Sequence, residues 1–173
     1  MKIRQTQEED LDFIIDLEGR PEFASYITFW ERSLHHQNLA DPDKRYLLAL
    51  DGEGDRLGYA ILAGLTSVHG SLELVRIVLK EPGHGLGQEF LRLVMKLGFE
   101  EMGAHRLWLD VFPENERARR AYLKAGFTEE GLLREAYCHG GQYRSLIIMS
   151  CLEGEHRAGT VKDRPSPGPK SPH

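Results

Sequence analysis

Cysteine is scarce in this chain. Cys138 and Cys151 are the only two among 173 residues, with no CxxC and no metal-ligand spacing. Their scarcity excludes a disulfide-stapled scaffold and predicts reduced thiols in a cytoplasmic setting, with no metal. Positive charge is also short: 22 Lys and Arg against 27 Asp and Glu leave a net charge of -5. General nucleic-acid binding requires clustered cations, so no nucleic-acid partner is expected. The opening MKIRQTQEED has no apolar signal segment, and no apolar run could span a bilayer, so no membrane partner is expected either. Internal repeats are absent. What remains is ordinary globular material, 40% hydrophobic and 28% charged, of a length for one domain with its own core.

The most informative stretch is ELVRIVLKEPGHGLGQEFLRLVM, residues 73–95. Residues 74–79 are apolar and rich in β-branched side chains, as a largely buried strand requires. Glu81 and Pro82 stop that strand, and Gly83-His84-Gly85-Leu86-Gly87 follows. Leu86, Phe90, Leu93, Val94 and Leu97 then recur at helical spacing. A strand, a glycine turn and a helix N-terminus make an anion site, because glycines let backbone N–H groups approach a phosphate and the helix dipole adds its positive end. The same residues also fit a tight strand–helix connection without a ligand. No Gly-Lys-Ser/Thr follows, and the glycines lack GxGxxG spacing, so neither a P-loop nor a dinucleotide fold matches.

Elsewhere the chain alternates short strands and helices. Residues 2–4 read as a strand, and Thr6 with Glu9 has capping-box spacing for a helix carrying Leu11, Ile14 and Ile15 inward. Two short helical pieces follow, the second capped by Thr28. Phe23, Tyr26, Phe29 and Trp30 in this region could wall a substrate pocket or pack a core, while His35 and His36 read as solvated. Strands are expected at 45–51, 56–65 and 106–111, then a helix at 117–124 with Gly126 at its C-cap. A strand region from Phe127 to Tyr137, a Gly140-Gly141 turn and a last strand at 143–152 complete the domain. From Glu153 the chain turns polar and proline-rich, which predicts a folded domain at 1–152 and a flexible tail at 153–173.

Two motifs in order, the strand followed by GHGLG and then LDVFPENERARRAYLKAGF, resemble the GNAT superfamily of N-acetyltransferases. Gly85 and Gly87 match the family's pyrophosphate pattern. Asn115, Ala118, Tyr122, Lys124, Gly126 and Phe127 match its downstream pattern. The ending EEGLLREAYCHGGQYRSLIIMSCLE is similar to the branch containing ribosomal-protein N-terminal acetyltransferases. One departure stands out: Pro82 occupies the position where the family places Gln or Arg.

The resemblance implies an α/β domain with a mixed, mostly antiparallel central sheet flanked by helices. The sheet is splayed between 74–79 and 106–111 so that acetyl-CoA enters there. It implies direct acetyl transfer to an amine, since neither cysteine lies in a nucleophile motif. Backbone N–H groups of Ile77, Val78 and Leu79 would hold the pantetheine arm, and Gly83, His84, Gly85, Leu86 and Gly87 the phosphates. Asn115 would cap its helix and face the same arm. Tyr122 would be the acid for the leaving thiolate, and Glu73 the first candidate for the base, with a strand-end salt bridge as its other reading. Arg117, Arg119 and Arg120 fit either phosphate contacts or a solvated helix face. Glu135, Tyr137 and His139 fall where related enzymes shape the acceptor pocket. The expected acceptor is a peptide or protein N-terminal amine, with a small-molecule amine as the runner-up, and either a monomer or a homodimer fits. A non-catalytic acyl-CoA-binding module on the same fold is the reading from another class.

Overall fold

Seven strands line up in one mixed sheet in the order β1-β2-β3-β4-β5-β7-β6 in a computed structural model that describes residues 1–81, 83 and 85–162. The strands are β1 (Lys2–Gln5), β2 (Lys44–Leu50), β3 (Arg56–Ala63), β4 (Ser71–Leu79), β5 (Arg106–Val111), β6 (Thr128–His139) and β7 (Gln142–Leu152). The helices are α1 (Leu11–Glu18), α2 (Arg32–Ala40), α3 (Leu86–Lys96), α4 (Glu116–Ala125) and α5 (Glu153–Lys162). Every strand pair is antiparallel except β4 with β5. The expected mixed, mostly antiparallel sheet is what forms.

Side-chain alternation along the central strands builds two cores. Leu47 and Ala49 of β2, with Ala60 and Leu62 of β3, face α3 and meet Phe90, Leu91, Val94 and Met95. Their sequence neighbours Tyr46, Leu48, Tyr59 and Ile61 face the other way and pack on Leu11, Ile14 and Leu17 of α1. The functional consequence sits between β4 and β5. They pair only through Ser71↔Arg106, Leu72↔Leu107 and Glu73↔Trp108, and beyond these residues the two strands no longer pair.

Several local expectations shift. The capping interaction before α1 slides by one residue: the Gln7 N–H donates to Asp10 Oδ2 at 2.9 Å, while Thr6 is buried. Asp10 is drawn inward because Arg4 and Arg56 both grip its carboxylate, at 2.6 and 2.8 Å. Thr28 caps no helix. Its carbonyl and hydroxyl are taken by Arg76 and Tyr137, and α2 begins at Arg32. His36 is exposed as expected, but His35 is buried among Trp30 and Tyr46. The first ten residues of the expected flexible tail form α5, joined to the sheet where the Glu153 N–H donates to the His105 carbonyl at 2.9 Å. The rest of that segment, 163–173, lies outside the described residues.

Candidate active site

Where β4 and β5 part, a cavity of about 840 Å³ opens between them. Its floor is residues 74–79 of β4, and its far wall combines Asp110, Val111 and Phe112 with the start of α4. Strand geometry decides which β4 amides face it. The Lys80 N–H donates to the Leu57 carbonyl at 2.7 Å, so even-numbered amides at this end of β4 point to β3. By alternation, Ile77 and Leu79 direct their N–H groups to the side that β5 has vacated. Val78, expected among the cleft donors, is therefore corrected: its amide faces β3.

Between the end of β4 and the start of α3 lie Gly83 and Gly85. Gly83 and Gly85 have φ of 141° and 77°, values that favour glycine, and Gly85 is the N-cap of α3. The Gln88 and Glu89 N–H groups both donate to the Gly85 carbonyl at 3.0 Å, which starts the helix directly after the turn. Gly87 lines the cavity, with Leu86 before it as the first residue of α3. His84 and Pro82 lie outside the described residues.

Asn115 plays the capping part expected of it, accepting from the Ala118 N–H at 3.2 Å, and it also lines the cavity. That cap points α4 at the cleft and carries Tyr122 to the wall. Burial, and secondarily the charge of Asp110, pushes the Tyr122 phenol up to about 12. The three arginines divide: Arg119 pairs with Glu129 at 2.7 Å and Arg120 with Glu116 at 3.1 Å, whereas Arg117 lines the cavity.

Glu73 is the last β4 residue paired to β5, immediately behind the first wall residue, Leu74. Its carboxyl is held above the usual range by burial and by the negative charge of Asp110, against a smaller opposing effect of Lys44. Asp110 itself lines the cavity. Solvent reaches Asp110, yet the surrounding walls remove enough water to raise its pKa. Sequence reading missed this residue. Its signal was an acid in the strand RLWLDV, on the face opposite Leu107, Leu109 and Val111.

A second cavity of about 340 Å³ adjoins the first, sharing Tyr26, Ile27, Thr28, Phe112 and Tyr137 with it. Tyr137 and His139 line it, while Glu135 lines neither cavity. Phe23, Tyr26 and Phe29 face the cavities, but Trp30 packs against the α1 core. Among the described residues there is no cluster of His, Cys, Asp and Glu arranged to hold a metal ion. Nor is any described helix long and apolar enough to cross a membrane.

Comparison with known proteins adds a family to this geometry. The model of the acetyltransferase (GNAT) domain matches residues 1–128. Spermidine N(1)-acetyltransferase of Escherichia coli (strain K12) is 29% identical, over 91% of this chain and 89% of that protein. A putative ribosomal protein bS18-alanine N-acetyltransferase of Bacillus subtilis (strain 168) is 27% identical, over 87% of this chain and 96% of that protein. The crystal structure of spermidine N-acetyltransferase from Vibrio cholerae in complex with CoA and spermine shares the fold, with a TM-score of 0.81. Its identity is 24%, covering 90% of this chain and 97% of that one.

Proposed function

The chain belongs to the acetyltransferase (GNAT) family, and we propose that its acceptor is a small polycationic amine of the polyamine class. It is an acetyl-CoA-dependent N-acetyltransferase, as the family and the relatives named above are. The observation that carries the acceptor reading is the carboxylate pair at the point of strand parting. Asp110 places negative charge in the far wall of the cleft, with Glu73 just behind the first floor residue, Leu74. Burial holds both carboxyls above their ordinary range, and the Asp110 charge raises Glu73 further. A cationic amine relieves that repulsion when it enters. The spermidine acetyltransferase relative, which aligns with nine-tenths of the chain, supports the same reading. This reading takes the small-molecule amine, the runner-up of the sequence analysis, in place of the peptide N-terminal amine, and the alanine acetyltransferase relative makes a peptide the comparison substrate.

The chemistry can be assigned to this chain's own groups. Acetyl-CoA supplies the activated thioester. The Ile77 and Leu79 amides receive the pantetheine arm as a neighbouring strand would, and one of them polarises the thioester carbonyl. The turn Gly83–Gly85–Gly87 and the N-terminus of α3 face the pyrophosphate. A primary amine near pKa ~10.4 is almost wholly protonated at neutral pH and has no lone pair to attack with. Asp110, which lines the cavity and whose carboxyl burial holds above its ordinary range, takes that proton, directly or through a water. Tyr122, at about 12, stays protonated and donates a hydrogen bond to the departing sulfur. Complete transfer to a thiolate near pKa ~8.5 is uphill from such a phenol, so the donated hydrogen bond is its main contribution.

Steady-state assays with acetyl-CoA and either spermidine or an alanine-starting peptide test this reading. The expected result is faster turnover of spermidine, and in Tyr122→Phe a kcat lower by about 10²–10³-fold. Calorimetric affinity of that variant for acetyl-CoA should be unchanged. Preference for the peptide would overturn the acceptor class, and undiminished turnover by the variant would remove Tyr122 from the chemistry.

A further inference from the structure

Residues 24–30 have no regular secondary structure, yet 24–29 wall the smaller cavity and 26–28 wall the larger one as well. Two arginines from different strands hold this segment, and they do so with the same three kinds of partner. Arg76 of β4 pairs with Glu18, lies over the Trp30 ring at 3.9 Å from its centre, and donates to the Thr28 carbonyl at 3.0 Å. Arg144 of β7 pairs with Glu114, lies over the Phe112 ring at 3.4 Å, and donates to the Ser25 carbonyl at 2.8 Å. Each guanidinium thus spends its in-plane donors on one carboxylate and one loop carbonyl, and its face on one aromatic ring.

The two grips differ in burial. The Arg76 and Glu18 side chains are 9% and 0% exposed, and Glu18 also accepts from the Trp30 N–H at 3.1 Å and the Tyr59 hydroxyl at 2.5 Å. Arg144 and Glu114 are 27% and 54% exposed. A desolvated pair locked by further hydrogen bonds is hard to open, whereas a pair reached by solvent exchanges with water and weakens with salt. We propose that Arg76 and Arg144 are positioning residues for the acceptor: Arg76 anchors the 28–30 end permanently, and Arg144 is the releasable grip at Ser25 through which the wall yields to an incoming amine. Its assignment to the acceptor rests on the amine-transfer reading above.

Arg144→Met and Glu114→Gln test it, since both residues are partly exposed and, although Arg144 lines the smaller cavity and Glu114 the larger, neither is assigned a step in acetyl transfer. Hydrogen exchange of the 24–30 amides should quicken by about tenfold in each variant, leaving exchange in β4 and α3 as in wild type. The KM for spermidine should rise by about fivefold while that for acetyl-CoA stays within about twofold, and the double variant should be no worse than either single one. Unchanged exchange in 24–30 overturns the grip. Faster exchange with an unchanged spermidine KM overturns its link to the acceptor, as does an equal rise in the acetyl-CoA KM. Wild-type protein that binds acetyl-CoA but leaves spermidine unmodified refutes the polyamine reading alone, and the exchange measurement still decides whether Arg144 holds the loop.

Discussion

The two halves of the cleft are made of different material. In the proposed function the donor half is backbone: the amides of Ile77 and Leu79, the turn at Gly83 and Gly85, and the N-termini of α3 and α4. The acceptor half is side chains drawn from an irregular loop, β4, β5 and the β6–β7 hairpin. A donor common to a whole family is recognised by groups that every residue carries, so the donor half tolerates sequence change wherever φ and pairing permit. An acceptor is selected by charge and shape, which only side chains supply.

The sharpest way to stress this contrast is Glu18→Gln, which strikes the buried support of the acceptor half. Burial alone would raise the Glu18 pKa, but the hydrogen bond from His35, the charge of Arg76 and the Tyr59 hydroxyl outweigh it and hold the carboxyl below its ordinary value. Removing the charge leaves Arg76 without its counter-ion, and a loss of about 3–5 kcal/mol in urea unfolding at pH 7 is expected. Because the folded pKa is depressed, the stabilisation is complete above the unfolded carboxyl value. It fades as pH falls through the folded one. Wild type should therefore lose more stability on acidification than the variant does, and a loss below about 1 kcal/mol at pH 7 would mean the pair is not desolvated.

Asp110→Asn probes the boundary between the halves. A kcat lower by about 10²-fold is expected. Asp110 and Glu73 both have raised pKa values, so the wild-type rate should climb with pH through a limb lying above the ordinary carboxylate range. Loss of the Asp110 charge lowers the Glu73 and Tyr122 pKa values together. A kcat–pH profile whose acid limb merely shifts downward, with kcat kept, would make Glu73 the base in place of Asp110.

The smallest effect belongs to the donor half. Asn115→Ala removes the cap on the Ala118 N–H and should cost about 1 kcal/mol in thermal or urea unfolding. The acetyl-CoA KM should rise modestly with the acceptor KM unchanged. Movement of the acceptor KM alone would contradict the division of the cleft.

Much of the donor half was legible in the residues themselves. The apolar run before GHGLG set β4, the helical spacing after it set α3, and Asn115 and Gly126 marked both ends of α4. These are local rules, satisfied within a few residues of chain. Failures came where distant partners intervened. The capping role expected of Thr6 and Glu9 passed to Gln7 and Asp10 because Arg4 and Arg56 claimed the Asp10 carboxylate. Thr28 lost a helix cap to Arg76 and Tyr137, from strands far along the chain. Val78 was counted with Ile77 and Leu79 although consecutive amides of a strand point to opposite edges; which alternate set faces the cleft was decided by the pairing with β3.

Sequence alone determined the order of strands and helices as far as β7, though not α5, together with the glycine turn and the family's motif residues, since each depends on periodicity, φ preference or capping over short spans. The parting of β4 from β5 was already implied by the family resemblance, but only the tertiary structure set it after three residue pairs and stood Asp110 at that fork beside Tyr122. It alone seated two distant arginines on one loop. Each of those facts is a meeting of residues separated by tens of positions, and burial and charge are properties of the meeting rather than of any residue that takes part.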